Sequence, residues 1–329
     1  MRRGDHRVRR RRVITGVAAL VVAPKRLAAQ QPKIPRIGFL TPEDSAETAT
    51  ADAFRAGLRD LGYEEGRDII IEFRVGHGDY TLVKRLAAEL VNIPVDVIVT
   101  AGGPVAAIAL EATNKIPIVT TGVHPPLMAQ IGSLARPNLN VTGFTVMAPE
   151  HAAKRLEILR TSFPKISSVA VLSDTANPGT ETYWRITEEA ARSLGLRATK
   201  IEAAGAEALQ ALRPTVFAGS NAVVVIPDPI FYNRRRDIVG LVNAARLPAI
   251  YPEREYADDG GLMTYGANVP DNFRRAAGYV DRILKGANPG DLPIQEPVKF
   301  DFIVNLKTAQ ALGLTIPPLI LARADEVIE

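Results

Sequence analysis

The chain has 329 residues, 47% of them hydrophobic and 23% charged, which gives room for two domains that each bury a core. It contains no cysteine, which excludes disulfides, thiolate zinc sites, cysteine nucleophiles and a lipid-anchoring cysteine together. Residues 1–29 hold nine of the 40 Lys and Arg but one of the 36 Asp and Glu; the rest of the chain, at 31 against 35, is mildly acidic and offers no electrostatic footprint for nucleic acid.

The N-terminus reads as an export signal. Arg2, Arg3, Arg7 and the run Arg9 to Arg12 precede an apolar segment, Val13 to Ala23, too short to span a bilayer. Leu27-Ala28-Ala29 supplies small residues for a cut after Ala29, so no membrane span is expected in the mature chain. Arg10-Arg11 ahead of Arg12-Val13-Ile14 also fits a loose twin-arginine signal, whereas Pro24-Lys25-Arg26 puts charge unusually close to the cut. The competing reading is a basic arm for nucleic acid.

Past a linker at 30–35, Arg36 to Leu40 reads as a first strand. A helix over about Thr48 to Leu61 follows, with Phe54, Leu58 and Leu61 on one face and Gly62 as its stop. Asp68 to Phe73 is the second strand and Asp79 to Val91 the second helix, with Leu82, Leu86 and Leu90 as its apolar stripe. The third strand, from Val95 through the β-branched run Val97-Ile98-Val99 to Thr100, has the composition of a parallel strand covered on both faces. It stops at Ala101-Gly102-Gly103 and opens into a helix at Pro104 lined by Val105, Ile108, Ala109 and Ala112. Free N–H groups at that helix start could take a carboxylate or phosphate. Ile116 to Thr120 is the fourth strand and runs into Thr121-Gly122-Val123-His124-Pro125. Such alternation predicts a parallel sheet with helices on both faces.

From Val169 the order repeats. Val169 to Ser173, Arg197 to Ile201, Ala222 to Ile226 and Leu247 to Tyr251 answer the four strands in turn, and Ser193-Leu194-Gly195 ends a helix as Asp60-Leu61-Gly62 does. Val141 to Thr145 and Gly261 to Gly266 are matching short strands at the joins. An amphipathic helix Asp271 to Lys285, a Pro/Gly-rich stretch 286–297, a strand Val298 to Val304 and a helix Leu306 to Leu312 are left over, so the chain crosses between lobes more than once. The expected architecture is α/β: two doubly wound parallel-sheet lobes joined by a multi-crossing hinge. Residues 1–29 form the signal peptide, 30–145 plus 267–290 lobe one, and 146–266 plus 291–329 lobe two.

No P-loop, dinucleotide fingerprint, nucleophile elbow or zincin motif occurs, and His6, His77, His124 and His151 stand isolated, so neither a metal nor a cofactor is expected. Ligands of open α/β sheets sit beyond the carboxyl ends of the strands. That rule assembles Thr41, Ser45, Thr100, Ala101, Gly102, Gly103, Thr121, Gly122 and His124 from the first lobe, facing Asp174, Asn177, Asp228, Tyr251 and Tyr265 from the second. Such groups suit recognition better than catalysis. Asp228 could receive an ammonium group while the Gly102-Gly103 turn takes a carboxylate, an amino-acid-like pairing. Equally, Asp228-Pro229 could be a turn whose carboxylate bonds its own backbone. Tyr251 and Tyr265 could stack on a ligand ring or wall the hinge, Trp184 packs or sits half exposed, and Arg234-Arg235-Arg236-Asp237 reads as solvated surface.

The same residues carry a family resemblance. Ile37-Gly38-Phe39-Leu40, Phe54-Arg55-Ala56-Gly57-Leu58, Asn140-Val141-Thr142-Gly143, Ala153-Lys154-Arg155-Leu156-Glu157 and Pro248-Ala249-Ile250-Tyr251 are similar to the substrate-binding proteins of ABC transporters of the tryptophan/tyrosine type. So are Gly260-Gly261-Leu262-Met263-Thr264-Tyr265-Gly266 and the ending from Val304-Asn305-Leu306-Lys307-Thr308-Ala309 through Arg323-Ala324-Asp325-Glu326-Val327, which extends the likeness over nearly the whole chain. The resemblance implies a type I periplasmic binding fold, with two lobes joined by three crossings that close on a ligand. It implies a periplasmic receptor, not an enzyme, that hands an amino-acid-like or other small carboxylate to an inner-membrane ABC permease. The expected partners are that small molecule and that permease, with no nucleic acid, and the receptor is expected as a monomer. Two departures stand out: His124-Pro125 where relatives tend to carry Asp before the Pro, and a shorter segment from Ala203 to Asn221. The rivals are an α/β enzyme working through Asp228 and His124, and a cytosolic ligand-responsive regulator built on the same lobe pair.

Overall fold

The computed structural model describes Met1 and residues 33–123, 125–145 and 149–329. The expected signal segment, His124 and residues 146–148 therefore lie outside the described residues, apart from Met1. All the elements below belong to one unit, Ile34–Glu329.

Strand and helix alternate from the start: β1 (Arg36–Thr41), α1 (Ala49–Asp60), β2 (Ile70–Val75), α2 (Tyr80–Val91), β3 (Val97–Thr100), α3 (Gly103–Ala112), β4 (Ile118–Thr120), α4 (Pro125–Ile131) and β5 (Val141–Gly143). The five strands pair in the order β2-β1-β3-β4-β5, all parallel. Helix starts are fixed locally: the Thr48 hydroxyl accepts from the Ala51 N–H ahead of α1, and the Asp79 carboxylate accepts from the Thr81 N–H at 2.7 Å ahead of α2. Two stripes differ from expectation. In α2 the buried face is Val83, Ala87 and Leu90, with Leu82 and Leu86 half-buried; in α3 it is Val105, Ala106 and Ala109, with Ile108 and Ala112 half-buried. α3 is apolar nearly all round and the apolar face of α2 is broad, so contact with the sheet, not periodicity, sets their rotation.

The second lobe repeats the plan. It contains α5 (Pro149–Ser162), β6 (Ser168–Asp174), α6 (Thr180–Ser193), β7 (Arg197–Ala203), α7 (Gly205–Ala211), β8 (Ala222–Val225), α8 (Pro229–Asn233), α9 (Arg235–Ala244), β9 (Ala249–Tyr251), α10 (Arg254–Asp258) and β10 (Met263–Ala267). Its first five strands run β7-β6-β8-β9-β10, the same second-first-third-fourth-fifth order as lobe one. The short segment after β7 holds only the two turns of α7 and a single 3-10 turn, Pro214–Phe217. The sheet continues into β11 (Phe300–Asn305) and β12 (Glu326–Ile328), with the short helices α12 (Leu306–Leu312) and α13 (Pro318–Leu321) between them. One pairing departs from the parallel expectation: β11 runs antiparallel to β10, because the chain reaches it from the other lobe and not over a crossover helix of its own.

Between β10 and β11 the chain returns to lobe one as α11 (Val269–Leu284), capped by Asn268. Phe273 of α11 stacks on Phe39 at 5.8 Å beside Phe54 and Phe73, and a side chain at Gly57 of α1 would run into the Arg274 carbonyl oxygen. Ile294 is buried in the lobe-one core and Gln295 bridges to Phe144, so this return extends to Gln295, past the expected boundary at 290. The chain thus passes between the lobes three times: after β5, at Asn268 and after Gln295.

Candidate functional site

Equal strand order gives both lobes the same switch point, between the first and third strands, where a doubly wound sheet opens a crevice. In lobe one the loops at that point contribute Glu43 after β1 and Ala101 to Gly103 after β3; in lobe two they contribute Asn177 after β6 and Pro227 and Asp228 after β8. With Thr121 and Gly122 after β4 and Glu253 after β9, they line one cavity of about 80 Å³, several times the room a single water needs. Rings from three helices complete it: Tyr183 of α6, Tyr232 of α8 and Phe273 of α11.

The two rims meet over this cavity. Asp44 of lobe one pairs with Arg234 of lobe two at 3.3 Å, and a methyl built on Gly102 would stand 2.9 Å from Cγ of Pro229 across the gap. Gly102 holds φ at +86°, a backbone region that disfavours side chains. It precedes α3, whose first-turn N–H groups have no partner within the helix, so the positive end of a ten-residue helix borders the cavity.

Three acids line the same cavity. Asp228 caps α8: its Oδ1 accepts from the N–H groups of Ile230 and Phe231 at 2.7 and 2.9 Å, and its Oδ2 accepts from Asn177 Nδ2 at 2.7 Å. The turn-forming reading of this residue therefore describes its bonding, while the residue also lines the cavity. Glu43 accepts from the Thr50 hydroxyl on Oε1 at 2.8 Å, and its buried Oε2 has no hydrogen-bond partner. Glu253 Oε2 is likewise buried without a partner. Burial makes ionisation of all three costly. It pushes Asp228 up to about 7, with Asp174 adding to the rise, and raises Glu43 and Glu253 as well, the latter well above the usual carboxylate range.

Of the residues expected at the site, Ala101, Gly102, Gly103, Thr121, Gly122, Asn177 and Asp228 line the cavity. His124 lies outside the described residues. Thr41 and Thr100 are buried behind the rim as turn formers: the Thr41 hydroxyl accepts from Glu43 N–H, and the Thr100 carbonyl accepts from Thr121. Ser45 is exposed in a separate groove at the mouth. Asp174 does not line the cavity: its Oδ1 accepts from the N–H groups of Ala176 and Gly205, each at 2.8 Å, and its Oδ2 is buried without a partner. Tyr251 points into the lobe-two core, stacked on Tyr256 at 5.0 Å, and Tyr265 packs against Phe300 and His151 on the hinge side. Trp184 is half-buried against the lobe-two core. The arginine run is not plain surface: Arg236 is, but Arg234 and Arg235 are half-buried and pair with Asp44 and Asp259, because α9 begins at the closed mouth.

Glu43, Glu253, Tyr183, Tyr232 and Phe273 were not among the expected residues. The strand-end rule reaches Glu43 and Glu253, each two residues past a strand. The three rings sit on helices, where only the packed fold says which face meets the gap.

Two lobes of one strand order, joined by three crossings and shut over a cavity at their facing strand ends, define a bilobal receptor for a small molecule. The profile of the family described as ABC transporter substrate binding protein matches residues 40–328, and the chain belongs to that family, one of binding proteins rather than enzymes. Among solved structures, a conserved domain protein from Vibrio cholerae overlays with a TM-score of 0.83 at 24% identity, covering 90% of this chain and 100% of that one. An ABC domain from Streptococcus pneumoniae in complex with L-Trp gives 0.81 at 22% identity, over 89% and 99%. The type I periplasmic binding fold is shared with these structures and with other solute-binding proteins. A tyrosine-binding protein from Clostridioides difficile (strain R20291) is 26% identical over 264 residues, 79% of this chain and 75% of the relative. No helix among the described residues is long and apolar enough to cross a membrane.

Proposed function

We propose that this receptor works in the periplasm after export by its N-terminal signal, holds an amino acid with an aromatic side chain between its lobes, and releases it to an inner-membrane ABC permease. The observation that carries the ligand class is the charge arrangement of the closed cavity, whose wall combines three buried acids, two of them with an unpartnered oxygen, and the start of α3. Three acids around one cavity need a cation among them, and a helix N-terminus favours an anion, so a zwitterion answers both. Tyr183, Tyr232 and Phe273 give an aromatic side chain flat partners. The tyrosine-binding relative supports the same class. Because the ligand touches both lobes only when they are together, it favours the closed form by those extra contacts.

Calorimetry on ligand-stripped protein tests this with matched compounds. L-tyrosine or L-tryptophan is expected to bind, and the deaminated analogues 3-(4-hydroxyphenyl)propionate and indole-3-propionate to bind at least about tenfold more weakly, the loss of one charge-assisted contact. Equal affinity for each amino acid and its deaminated analogue would contradict the assignment.

A further inference from the structure

Behind the ligand cavity lies a second, smaller one, of about 10 Å³, close to the volume one water needs. The two share Pro227, Glu253 and Val269 as walls. The far side of the small cavity holds Arg155 of α5, only 3% exposed, with its Nε unpartnered and its Nη1 donating to the Tyr265 carbonyl at 3.2 Å. Tyr265 stands in β10, two residues before Ala267 and the second crossing. Glu253 precedes α10 but makes no capping bond to it, so its side chain is committed to neither helix nor sheet. Two buried groups of opposite charge thus line one chamber without a direct bond between them, and one of them also faces the ligand.

The geometry points to Glu253 as the carboxylate that receives the ligand's ammonium group, and to Arg155 as the positioning residue that favours its ionised form as the ammonium group arrives, acting across the small chamber. The inference rests on the amino-acid reading above. Glu253 differs from the other two acids in its commitments: Asp228 already accepts three hydrogen bonds and Glu43 accepts one from Thr50 on its Oε1, whereas among the described residues the Glu253 side chain accepts none; the unpartnered Oε2 by itself is shared with Glu43. A lone buried carboxylate takes up a proton and loses its attraction for an ammonium group; a guanidinium within the same dry chamber opposes that. Burial draws the Arg155 guanidinium down to about 10, and the Glu253 charge works against that fall. Since Arg155 is fixed to the strand that feeds the crossing, the ammonium contact is tied to the hinge side of lobe two and not to a mobile rim.

The test is a double-mutant cycle read as a ratio, the affinity for L-tyrosine over that for 3-(4-hydroxyphenyl)propionate. Arg155→Met is expected to lower the ratio about tenfold by weakening the amino acid alone, Glu253→Gln to do the same, and the double variant to be no worse than Glu253→Gln. Arg155→Lys, which keeps a charge in the chamber, is expected to restore most of the ratio. A structural role for Arg155 would weaken both compounds alike, and that result, or losses that add in the double variant, overturns the inference. If Arg155→Met does not fold, Arg155→Lys is compared with and without Glu253→Gln: any fall in the ratio must vanish in the Gln background, and one that persists overturns it. Wild-type protein that shows no preference for the amine sinks the amino-acid reading instead, and is distinguished by being visible before any substitution is made.

Discussion

Gly102→Ala is expected to weaken ligand binding at least about tenfold, and Pro229→Ala in the same chain to recover most of that loss. Two effects meet at this residue and act on different measurements. The backbone at φ +86° and ψ 169° is essentially reserved for glycine and costs a residue with a side chain about 1–3 kcal/mol. That strain is present whether the lobes are open or shut, so it lowers the thermal midpoint and leaves affinity alone. The added methyl also stands 2.9 Å from Pro229 Cγ, on the opposite lobe, and this crowding arises only when the rims meet. It therefore opposes the closed form and appears as lost affinity. Removing the proline ring relieves the crowding but not the strain, so the double variant should bind well while melting low. Unaltered affinity in Gly102→Ala would show that the bound lobes do not approach at this point.

The second large effect is on pH. Asp228 titrates near 7 in the ligand-free fold because burial and neighbouring Asp174 hold its proton, and Glu43 and Glu253 are raised in the same direction. An ammonium group favours an ionised carboxylate beside it, so its binding expels one proton from this group of acids, the one Asp228 holds at about 7 setting the range. Affinity for an amine-bearing ligand is expected to fall by up to about tenfold per pH unit below about pH 7, or roughly a hundredfold by about pH 5. A deaminated analogue should show no such fall. The stability of the ligand-free protein carries the opposite sign. Above about pH 4 an unfolded Asp has lost the proton that folded Asp228 keeps, so this contribution is full below about pH 4 and fades as the pH rises through about 7. Calorimetric titrations across that range check the first statement, and thermal midpoints of ligand-free Asp228→Asn beside wild type check the second. Parallel pH profiles for the amine and its deaminated partner would contradict the charge arrangement.

Much of the fold is legible in the sequence for one reason: the runs Val97-Ile98-Val99 and Ala222 to Ile226 are too uniformly apolar for anything but a strand covered on both faces, and each stops at Gly or Pro. Repetition of that unit predicts the second lobe, and the equal strand orders agree with it. The same uniformity hides what lies on either side of a strand. Tyr251 ends a fully buried strand, and alternation does not say whether its ring turns toward the gap or the core; it stacks on Tyr256 inside. The site is legible where backbone makes it, at Ala101 to Gly103, because a glycine pair between strand and helix has few other uses. The acids are harder. Hydroxyls at Thr41 and Ser45 draw attention to the first loop, yet the residue between them that reaches the cavity is Glu43, an ordinarily solvent-facing type that is buried here and bonded to Thr50. Tyr183, Tyr232 and Phe273 sit on helices whose periodicity marks a buried face without saying which part of that face meets the gap and which the core.

Closure of both lobes on one guest is the claim on which the rest stands, and the absence of native cysteines makes it directly measurable. Glu47→Cys, in the groove at the mouth, and Asp237→Cys, next in sequence to Arg236 of that groove, put one spin label on each lobe at exposed positions. Saturating L-tyrosine or L-tryptophan is expected to collapse a broad distribution of label distances into a single short one. An amino acid that binds by calorimetry while that distribution stays as it was would contradict the account.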